Sequence, residues 1–175
     1  MLIHPFDLDK DSGYPSRSSF VVKKQNGDVG YGVYTKKRTE RGVMVARFTG
    51  LIVHEIVQHS LQINPTTHIL DTHFAGYLLH SCSPNVILDM SDFTIWALRD
   101  IEKGEALTMD YASTEDVLYR QFKCLCNSEN CRHWISGRKE KVNEEGRAYL
   151  DSLAMEKAAA NPGSAGESMG LGVGF

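Results

Sequence analysis

The sequence has no long apolar run and little excess of charge of either sign. Its 175 residues carry 19 lysines and arginines against 22 aspartates and glutamates, which gives a formal net charge of −3. No stretch approaches the ~20 consecutive apolar residues that a membrane-spanning helix needs. The first residues lack the basic and apolar regions of a secretory signal. We therefore expect an intracellular protein, cytoplasmic or nuclear, in a reducing compartment and without membrane contact.

Basic residues are too sparse to indicate a nucleic-acid interface. One small cluster lies at residues 36–41, and a looser group follows at 138–141. Proteins that bind nucleic acid directly usually carry a pronounced basic patch or stripe. We therefore expect no direct contact with nucleic acid, and the composition indicates neither a partner nor an oligomeric state.

The middle of the chain has the pattern of a mainly β protein with short strands. Residues 20–48 alternate short apolar stretches with turn residues, and the pair 26–27 (Asn-Gly) is a strong hairpin signal. Residues 52–62 predict a strand end that runs into a short helix. Residues 67–79 predict a strand or turn pair and then a short helix, and residues 86–111 predict a meander of strands.

The two ends of the chain differ from this middle part. Residues 1–18 are polar and predict an irregular arm, with Leu2, Ile3 and Phe6 available for docking. Residues 138–157 have a helical composition, and the Gly-rich end that follows predicts disorder. At this length one domain can bury a core without disulfides.

The four cysteines have the spacing of a metal site. Cys124, Cys126 and Cys131 form a C-x-C-x4-C pattern, and Cys82 stands alone about forty residues earlier. Four thiolates complete a tetrahedral zinc site. The alternatives are a disulfide framework or inert buried thiols. A reducing compartment disfavours the first, and the tight clustering disfavours the second, so we expect one structural zinc ion.

Three further features are ambiguous when taken alone. The stretch Gly30-Tyr31-Gly32 fits a plain β-turn or a backbone that approaches a ligand closely. Tyr111 ends an apolar strand, where a tyrosine is more often a packing residue than a chemical one. Trp134 lies just beyond the last cysteine, where it fits an ordinary core position as well as a ligand contact.

Taken in order, these elements resemble the SET-domain protein lysine methyltransferases with a post-SET zinc motif. The matching segments are "GYGVYT", "RGVMVARFTG", "HSCSPN", "WALRDIEKGEALTMDY" and "FKCLCNSENCRHW". The order and spacing of these five segments over about residues 20–135 make the resemblance specific, although no single motif would suffice.

The resemblance implies a mainly β, β-clip-like fold of several small sheets with short helices and a knot-like crossing near the active site. It divides the chain into an N-terminal arm (1–18), a SET domain (19–115), a post-SET zinc segment (116–137) and a C-terminal helix with a disordered tail (138–175). The zinc ion would staple the post-SET segment to the body.

The resemblance also implies methyl transfer from S-adenosylmethionine to a lysine side chain of a protein or peptide substrate. Tyr111 would be the catalytic tyrosine, and the four cysteines would hold zinc. The residues implied to contact the cofactor are Gly30, Tyr31, Gly32, Tyr77, Leu79, His80 and Trp134.

Two residues depart from the family pattern on the cofactor side. Leu79 stands where the family has the Asn that helps to hold the amino-acid end of the cofactor, and leucine has no hydrogen-bonding group. Gly76 stands where the family has an Arg. The departures leave open a SET-like protein without lysine methyltransferase activity, either a binding module or an enzyme acting on a small molecule in a biosynthetic pathway.

Overall fold

The computed structural model describes residues 1–5, 7–8, 12–25 and 30–160. In these ranges the chain forms short strands, 3-10 turns at Ala75–Tyr77 and Tyr111–Ser113, and one long helix. The strands and the helix are β1 (Phe20–Lys24), β2 (Tyr31–Thr35), β3 (Met44–Arg47), β4 (Leu51–Val53), β5 (Ser60–Asn64), β6 (Thr67–Leu70), β7 (Leu79–His80), β8 (Val86–Asp89), β9 (Thr94–Ala97), β10 (Thr108–Met109), β11 (Phe122–Lys123), β12 (Trp134–Ile135) and α1 (Glu144–Ala160).

The strands pair into small sheets, as the sequence predicts. Two three-stranded sheets have the orders β3-β9-β8 and β4-β6-β5, and β1-β2, β7-β10 and β11-β12 form two-stranded sheets. The fold is mainly β with one long helix, which confirms the predicted fold class. The predicted hairpin turn at 26–27 lies outside the described residues, but the flanking strands β1 and β2 pair antiparallel as a hairpin requires.

The prediction of a short helix within residues 52–62 is wrong. The segment instead forms β4 and the start of β5, and both strands pair with β6. His59, just before β5, has a positive φ of 71°, which is incompatible with a continuous helix. Hydrogen bonding to a neighbouring strand therefore overrides the helix-compatible spacing of the apolar residues.

The meander expected over residues 86–111 is only partly correct. Strands β8 and β9 form an antiparallel pair, but the other neighbour of β9 is β3. β10 instead pairs in parallel with β7. The knot-like crossing stays a prediction, and this parallel pair brings together the two segments on which it would be built.

The hydrophobic core lies between the sheets and is rich in aromatic and branched residues. Phe20 packs edge-on against Phe74, with ring centroids 5.0 Å apart. The side chains almost completely shielded from solvent include Phe48, Phe74, Ile95, Ile101, Leu107, Met109, Ile135, Val33 and Val86. A second, smaller apolar cluster surrounds the cysteines.

The N-terminal arm is tied to the body by its backbone. Leu2 pairs with Ser16 in a short bridge, and Ile3 packs against the core. The backbone N–H of Arg47 in β3 donates to the carbonyl of Gly13, at 2.9 Å. Phe6, the third residue expected to dock, lies outside the described residues.

The C-terminal helix begins later than the composition suggests. α1 starts at Glu144, after Asn143, whose side-chain oxygen accepts a hydrogen bond from the Gly146 N–H at 2.8 Å. This is an N-cap, which satisfies one of the free donors of the first turn. The predicted disordered end lies outside the described residues. Within the part of the chain that the structure covers, no helix is long and apolar enough to cross a membrane.

Candidate active site

The centre of the site is the parallel pair of β7 and β10. β7 (Leu79–His80) belongs to the segment "HSCSPN", and β10 (Thr108–Met109) closes the apolar strand that precedes Tyr111. Because the strands run in the same direction, the residues that follow both of them emerge at one end. This pairing places Tyr111 beside His80, with ring centroids 5.2 Å apart.

Tyr111 is held by two hydrogen bonds and is largely buried. Its hydroxyl donates to the backbone carbonyl of Leu78 at 2.8 Å, and its backbone N–H donates to Nδ1 of His80 at 3.3 Å. Burial, together with the charge of Glu115, raises the pKa of Tyr111 to about 12. The hydroxyl is therefore protonated at neutral pH, and its oxygen retains lone pairs that can accept a further hydrogen bond.

His80 connects this tyrosine to the cysteine cluster. Burial lowers the pKa of His80 to about 4, although the nearby Asp110 carboxylate opposes the shift. The ring is therefore neutral at pH 7. Because Nδ1 accepts from the Tyr111 N–H, the ring proton belongs on Nε2, which lies 3.5 Å from Sγ of Cys82.

Phe122 is a site residue that the sequence did not reveal. Its ring lies 5.7 Å from that of Tyr111 and 5.8 Å from that of His80, both edge-on. The three rings form one aromatic cluster beside the apolar group that surrounds the cysteines. The available signal was its position two residues before Cys124, but an apolar residue preceding a metal motif is too common to be diagnostic.

Trp134 lies away from this aromatic cluster. Side chains alternate between the two faces of a strand, and Phe122 pairs across the sheet with Ile135 rather than with Trp134. The Trp134 indole N–H donates to the Gln121 side chain at 3.1 Å, and the ring is covered by Gly146 of α1. The structure therefore does not bring Trp134 to the other residues expected to contact a cofactor.

The stretch Gly30-Tyr31-Gly32 at the start of β2, called the glycine strand below, lies next to β7. Gly30 has a positive φ of 81°, and a Cβ at this position would meet open space. At Gly32 a Cβ would lie only 2.9 Å from Cδ1 of Leu79, so the leucine packs directly on the glycine backbone. The rings of Tyr31 and Tyr77 lie 5.7 Å apart. These five expected cofactor residues therefore lie in one region.

Gly76, the second departure from the family pattern, sits where the backbone leaves no room for a side chain. A Cβ on Gly76 would overlap the carbonyl oxygen of Asp71 and would lie 2.6 Å from that of His59. His59 also approaches through its side chain, because Nδ1 lies 2.8 Å from the Gly76 carbonyl and its ring lies 4.6 Å from that of Tyr77. The glycine is thus required by this local packing.

The four cysteines meet in one cluster. Their Sγ atoms all lie within 4.8 Å of one another, and Cys82 and Cys124 are 3.9 Å apart. Four sulfurs at ~2.3 Å from a tetrahedral zinc ion would be about 3.8 Å apart. None of the four forms a disulfide. The donor set and spacing therefore fit one tetrahedral metal ion.

Hydrogen-bond donors around the cluster point at the sulfurs. The backbone N–H of Arg132 donates to Sγ of Cys82 at 3.3 Å, and that of His133 donates to Sγ of Cys131 at 3.4 Å. The Ser128 hydroxyl lies 3.0 Å from Sγ of Cys126. Such donors favour the thiolate form that metal binding requires.

The structure also joins the two sides of the expected boundary between residues 115 and 116. The backbone N–H of Gln62 donates to the Glu115 carboxylate at 2.9 Å, and its side chain donates to Asp116 at 3.0 Å. The side chains of Arg138 and Lys139, which come later in the chain, also donate to the Asp116 carboxylate. The division into a SET domain and a post-SET segment stays a prediction.

Comparison with known proteins agrees with the geometry of the site. The family described as "SET domain" matches residues 30–112. The chain is 30% identical over 180 residues to the "Variant-silencing SET domain-containing protein" of Plasmodium falciparum, covering 85% of this chain and 7% of that protein. It is 29% identical over 131 residues to human "Histone-lysine N-methyltransferase 2D", covering 61% of this chain and 2% of that protein.

A shorter relative and solved structures extend the comparison. The chain is 39% identical over 80 residues to "Methyltransferase flvH" of Aspergillus flavus, which is 45% of each protein. The fold resembles KRYPTONITE in complex with DNA and SAH (TM-score 0.54, 22% identity, 66% of this chain and 29% of that one). It also resembles the methyltransferase domain of human SETMAR (TM-score 0.53, 18% identity, 67% of this chain and 58% of that one).

The first two of these relatives are much longer proteins, since the matched region is 7% and 2% of their length, and the match to the third covers 45% of that protein. The shared region nevertheless holds the glycine strand, the "HSCSPN" segment and Tyr111, all of which lie within residues 30–112. Residues 30–112, just under half of the chain, therefore match the SET-domain family.

Proposed function

We propose that this protein transfers a methyl group from S-adenosylmethionine to a lysine side chain of a protein or peptide substrate. The observation that carries the proposal is the placement of Tyr111, whose buried, protonated hydroxyl is fixed on the Leu78 carbonyl beside His80. The names of the relatives support this assignment, because several are histone-lysine N-methyltransferases.

The residues around the glycine strand fit a cofactor with an extended, polar shape. Gly30 leaves its backbone open to an approaching ligand. Tyr31 is half exposed and stacks near Tyr77, so the two rings offer an apolar wall. His80 stays neutral and therefore adds no positive charge beside a sulfonium. We propose that Gly30, Tyr31, Gly32, Tyr77, Leu79 and His80 line the cofactor site.

We leave Trp134 out of the proposed cofactor site, because its ring packs against Gly146 of α1 and its indole N–H donates to Gln121. An aromatic contact to the cofactor is better supplied by Phe122, which lies in the same cluster as His80 and Tyr111.

The bound cofactor would supply an electrophilic methyl group on a sulfonium. Attack on that methyl group, with loss of the C–S bond, would require a neutral lysine amine. The protein's own task would then be to align the amine and to exclude water. The Tyr111 oxygen can accept a hydrogen bond from the amine N–H and so orient its lone pair. Burial lowers the pKa of an amine and favours the neutral form.

We also propose that the cysteine cluster holds one structural zinc ion. All four positions of the tetrahedron would be filled by Cys82, Cys124, Cys126 and Cys131, which leaves none for a reacting water. Burial raises the pKa of the Cys124 thiol, and a divalent cation would offset this by favouring the thiolate. The ion would hold the segment after residue 116 against β7.

The substrate and the compartment are inferred from the relatives. One solved neighbour is described in complex with an H3(1-15) peptide, and a histone tail is accordingly the first substrate to test. We propose a nuclear or cytoplasmic location, and we retain the expectation of no direct nucleic-acid binding. A binding module or a small-molecule enzyme is less favoured, because the relatives cited above are methyltransferases or SET-domain proteins.

Calorimetry with S-adenosylmethionine and its demethylated product, S-adenosylhomocysteine, tests the cofactor assignment. We expect saturable binding of both, and no binding at high micromolar concentration would refute the proposal. Transfer of a labelled methyl group to a histone mixture, to an H3 peptide and to free lysine then identifies the substrate class. Label on free lysine alone would favour the small-molecule alternative.

A further inference from the structure

A cleft beside β1 lies outside the machinery of the proposed reaction. Its volume is about 390 Å³, which is within the usual range of ligand-binding clefts. It lies between the N-terminal arm, β1 and the turn that precedes β7, and its walls include Ile3, Arg17, residues 20–22, His73 and Tyr77. Of the residues proposed to contact the cofactor, only Tyr77 borders it.

One edge of β1 has no neighbouring strand. β1 pairs with β2 alone. At the two ends of this pair, the Lys36 N–H donates to the Ser19 carbonyl and the Gln25 N–H donates to the Gly30 carbonyl, both at 2.7 Å. Such bonds join alternate residues of an antiparallel pair, so the N–H and C=O of Val22, three positions from either end, point away from β2. Among the residues that the structure describes, none outside β2 is hydrogen-bonded to this part of the backbone.

The cleft follows this unpaired edge. Successive side chains of a strand point to opposite faces, yet Phe20, Val21 and Val22 all line the cleft. Its walls are apolar on the side of the core, because Phe20 packs on Phe74 and both Val22 and Ile3 contact the core. A cleft in this position can receive a side chain of a strand that is added alongside β1.

The rim of the cleft is cationic. Arg17 and Lys36 both line it and are exposed, and Nζ of Lys36 donates to the backbone carbonyl of Arg17 at 2.7 Å. In the described ranges neither side chain forms an ion pair, whereas Arg38 pairs with three carboxylates. No carboxylate of a described residue lines the cleft. The charge of the rim is therefore complementary to an acidic ligand.

We propose that this cleft binds an extended acidic segment of a partner protein, which adds a strand to the free edge of β1 and places a carboxylate against Arg17 and Lys36. Backbone pairing supplies the affinity, and an apolar side chain seated in the cleft supplies selectivity. The inference goes beyond the proposed methyl transfer and does not depend on it, because neither Tyr111 nor the cysteines border the cleft.

Fluorescence anisotropy with designed peptides tests the proposal on the full chain. The probe is a labelled, end-capped peptide in which glutamate alternates with apolar residues, made with valine, leucine or phenylalanine at its centre. We expect saturable binding of at least one version. The same peptide with lysine in place of each glutamate should bind about tenfold more weakly or less. Absence of saturable binding for every acidic version, or equal binding of the basic peptide, would overturn the inference.

Methylated peptides test whether the ligand binds as a strand. Alternate backbone N–H groups of an extended peptide point to opposite edges, so N-methylation of one alternate set blocks one edge and leaves the other free. Of the two peptides methylated in this way, one should lose binding and the other should keep it. Equal effects of the two sets of methyl groups would contradict strand addition.

A charge reversal tests the location. Arg17→Glu should weaken binding of the acidic peptide by about fivefold, since a repulsion replaces an exposed attraction. Arg120→Glu makes the same change at an exposed arginine that does not border the cleft, and it should leave the affinity unchanged. An unchanged melting temperature shows that both variants are folded. Equal affinities of the two variants would overturn the inference.

Competition with S-adenosylhomocysteine separates this inference from the proposed function. The peptide should bind equally well with and without saturating S-adenosylhomocysteine. Displacement of the peptide would place it in the cofactor site and would overturn the inference. Protein that binds the peptide but not S-adenosylhomocysteine would overturn the proposed function alone.

Discussion

At the scale of single residues, the hydroxyl of Tyr111 is held in a fixed position while its oxygen can still accept a hydrogen bond. The hydrogen bond to Leu78 sets its direction, and burial keeps it protonated. The neighbouring His80 fixes the Tyr111 backbone rather than the hydroxyl. In the proposed reaction, orientation of the amine would depend on this one oxygen atom, so its removal alone tests the role of Tyr111.

We expect Tyr111→Phe to lower the rate of methyl transfer by roughly 100-fold, since a misplaced reacting group costs about that factor. Its affinity for S-adenosylhomocysteine should change little, because the ring and its packing remain. Single-turnover kinetics and calorimetry separate the two quantities. Tyr149→Phe, which makes the same substitution on α1, is the matched control. Unchanged turnover in Tyr111→Phe would remove the proposed role of this hydroxyl.

Glu115 gives the protein a pH dependence of stability. Burial raises the pKa of Glu115 from 4.5 to about 7, and the charge of Asp116 adds to the shift. The unfolded chain releases this proton near pH 4.5, whereas the folded chain holds it up to about pH 7. Between these values the folded state binds more protons, so this group makes the unfolding free energy fall as pH rises.

We therefore expect the unfolding free energy of the wild type to fall relative to that of Glu115→Gln as the pH rises from about 4.5 to about 7. The relative loss should be at most about 3 kcal/mol. Urea denaturation at several pH values measures this difference, and the contributions of other titrating groups cancel between the two proteins. Parallel stability curves across this window would show that Glu115 titrates normally.

At the scale of elements, the turn that leads into β7 is held by one buried carboxylate. Asp71 accepts hydrogen bonds from the backbone N–H groups of His73, Phe74 and Ala75, at 2.7 to 2.9 Å. The turn ends at Leu78, whose carbonyl holds Tyr111. The position of the Tyr111 hydroxyl therefore depends on the turn between β6 and β7.

Asp71→Asn should reduce the unfolding free energy by about 2 kcal/mol, because the amide nitrogen cannot accept the Ala75 N–H and the negative charge is removed. Thermal or urea denaturation measures the loss. Asp151→Asn, at an exposed position on α1, is the matched control and should change stability by less than about 0.5 kcal/mol. Equal effects of the two substitutions would refute the capping role of Asp71.

At the scale of the whole molecule, the cysteine cluster joins chain segments that are distant in sequence. Cys82 follows β7, and the other three cysteines lie in the loop between β11 and β12. Asn130 strengthens the junction, since its side chain donates to the Cys82 carbonyl at 2.9 Å. A metal ion here would stabilise the active site indirectly, by holding Phe122 against His80 and Tyr111.

Metal analysis should give one zinc ion per chain, and Cys82→Ser should release it. Because ligand binding free energy contributes to folding, removal of zinc by a chelator should lower the melting temperature and expose residues 116–137 to proteolysis. Ser83→Ala, at an exposed neighbour, should retain the metal. Stable protein without any metal would refute the zinc assignment.

The sequence was sufficient for the features that depend on residue type and order. The small sheets and the convergence of the four cysteines follow from motifs within about residues 20–135. Features that depend on tertiary contacts did not follow. β5 forms because β6 offers it a partner, and Trp134 faces α1 because of strand alternation.

The most direct test of the account is mass spectrometry of a lysine-containing H3 peptide after incubation with the purified protein and S-adenosylmethionine. The account predicts that wild-type protein adds methyl groups to a lysine ε-amine and that Tyr111→Phe adds far fewer. If the wild type binds the cofactor but leaves the lysines of the peptide and of a histone mixture unmodified, the assignment as a protein lysine methyltransferase is contradicted.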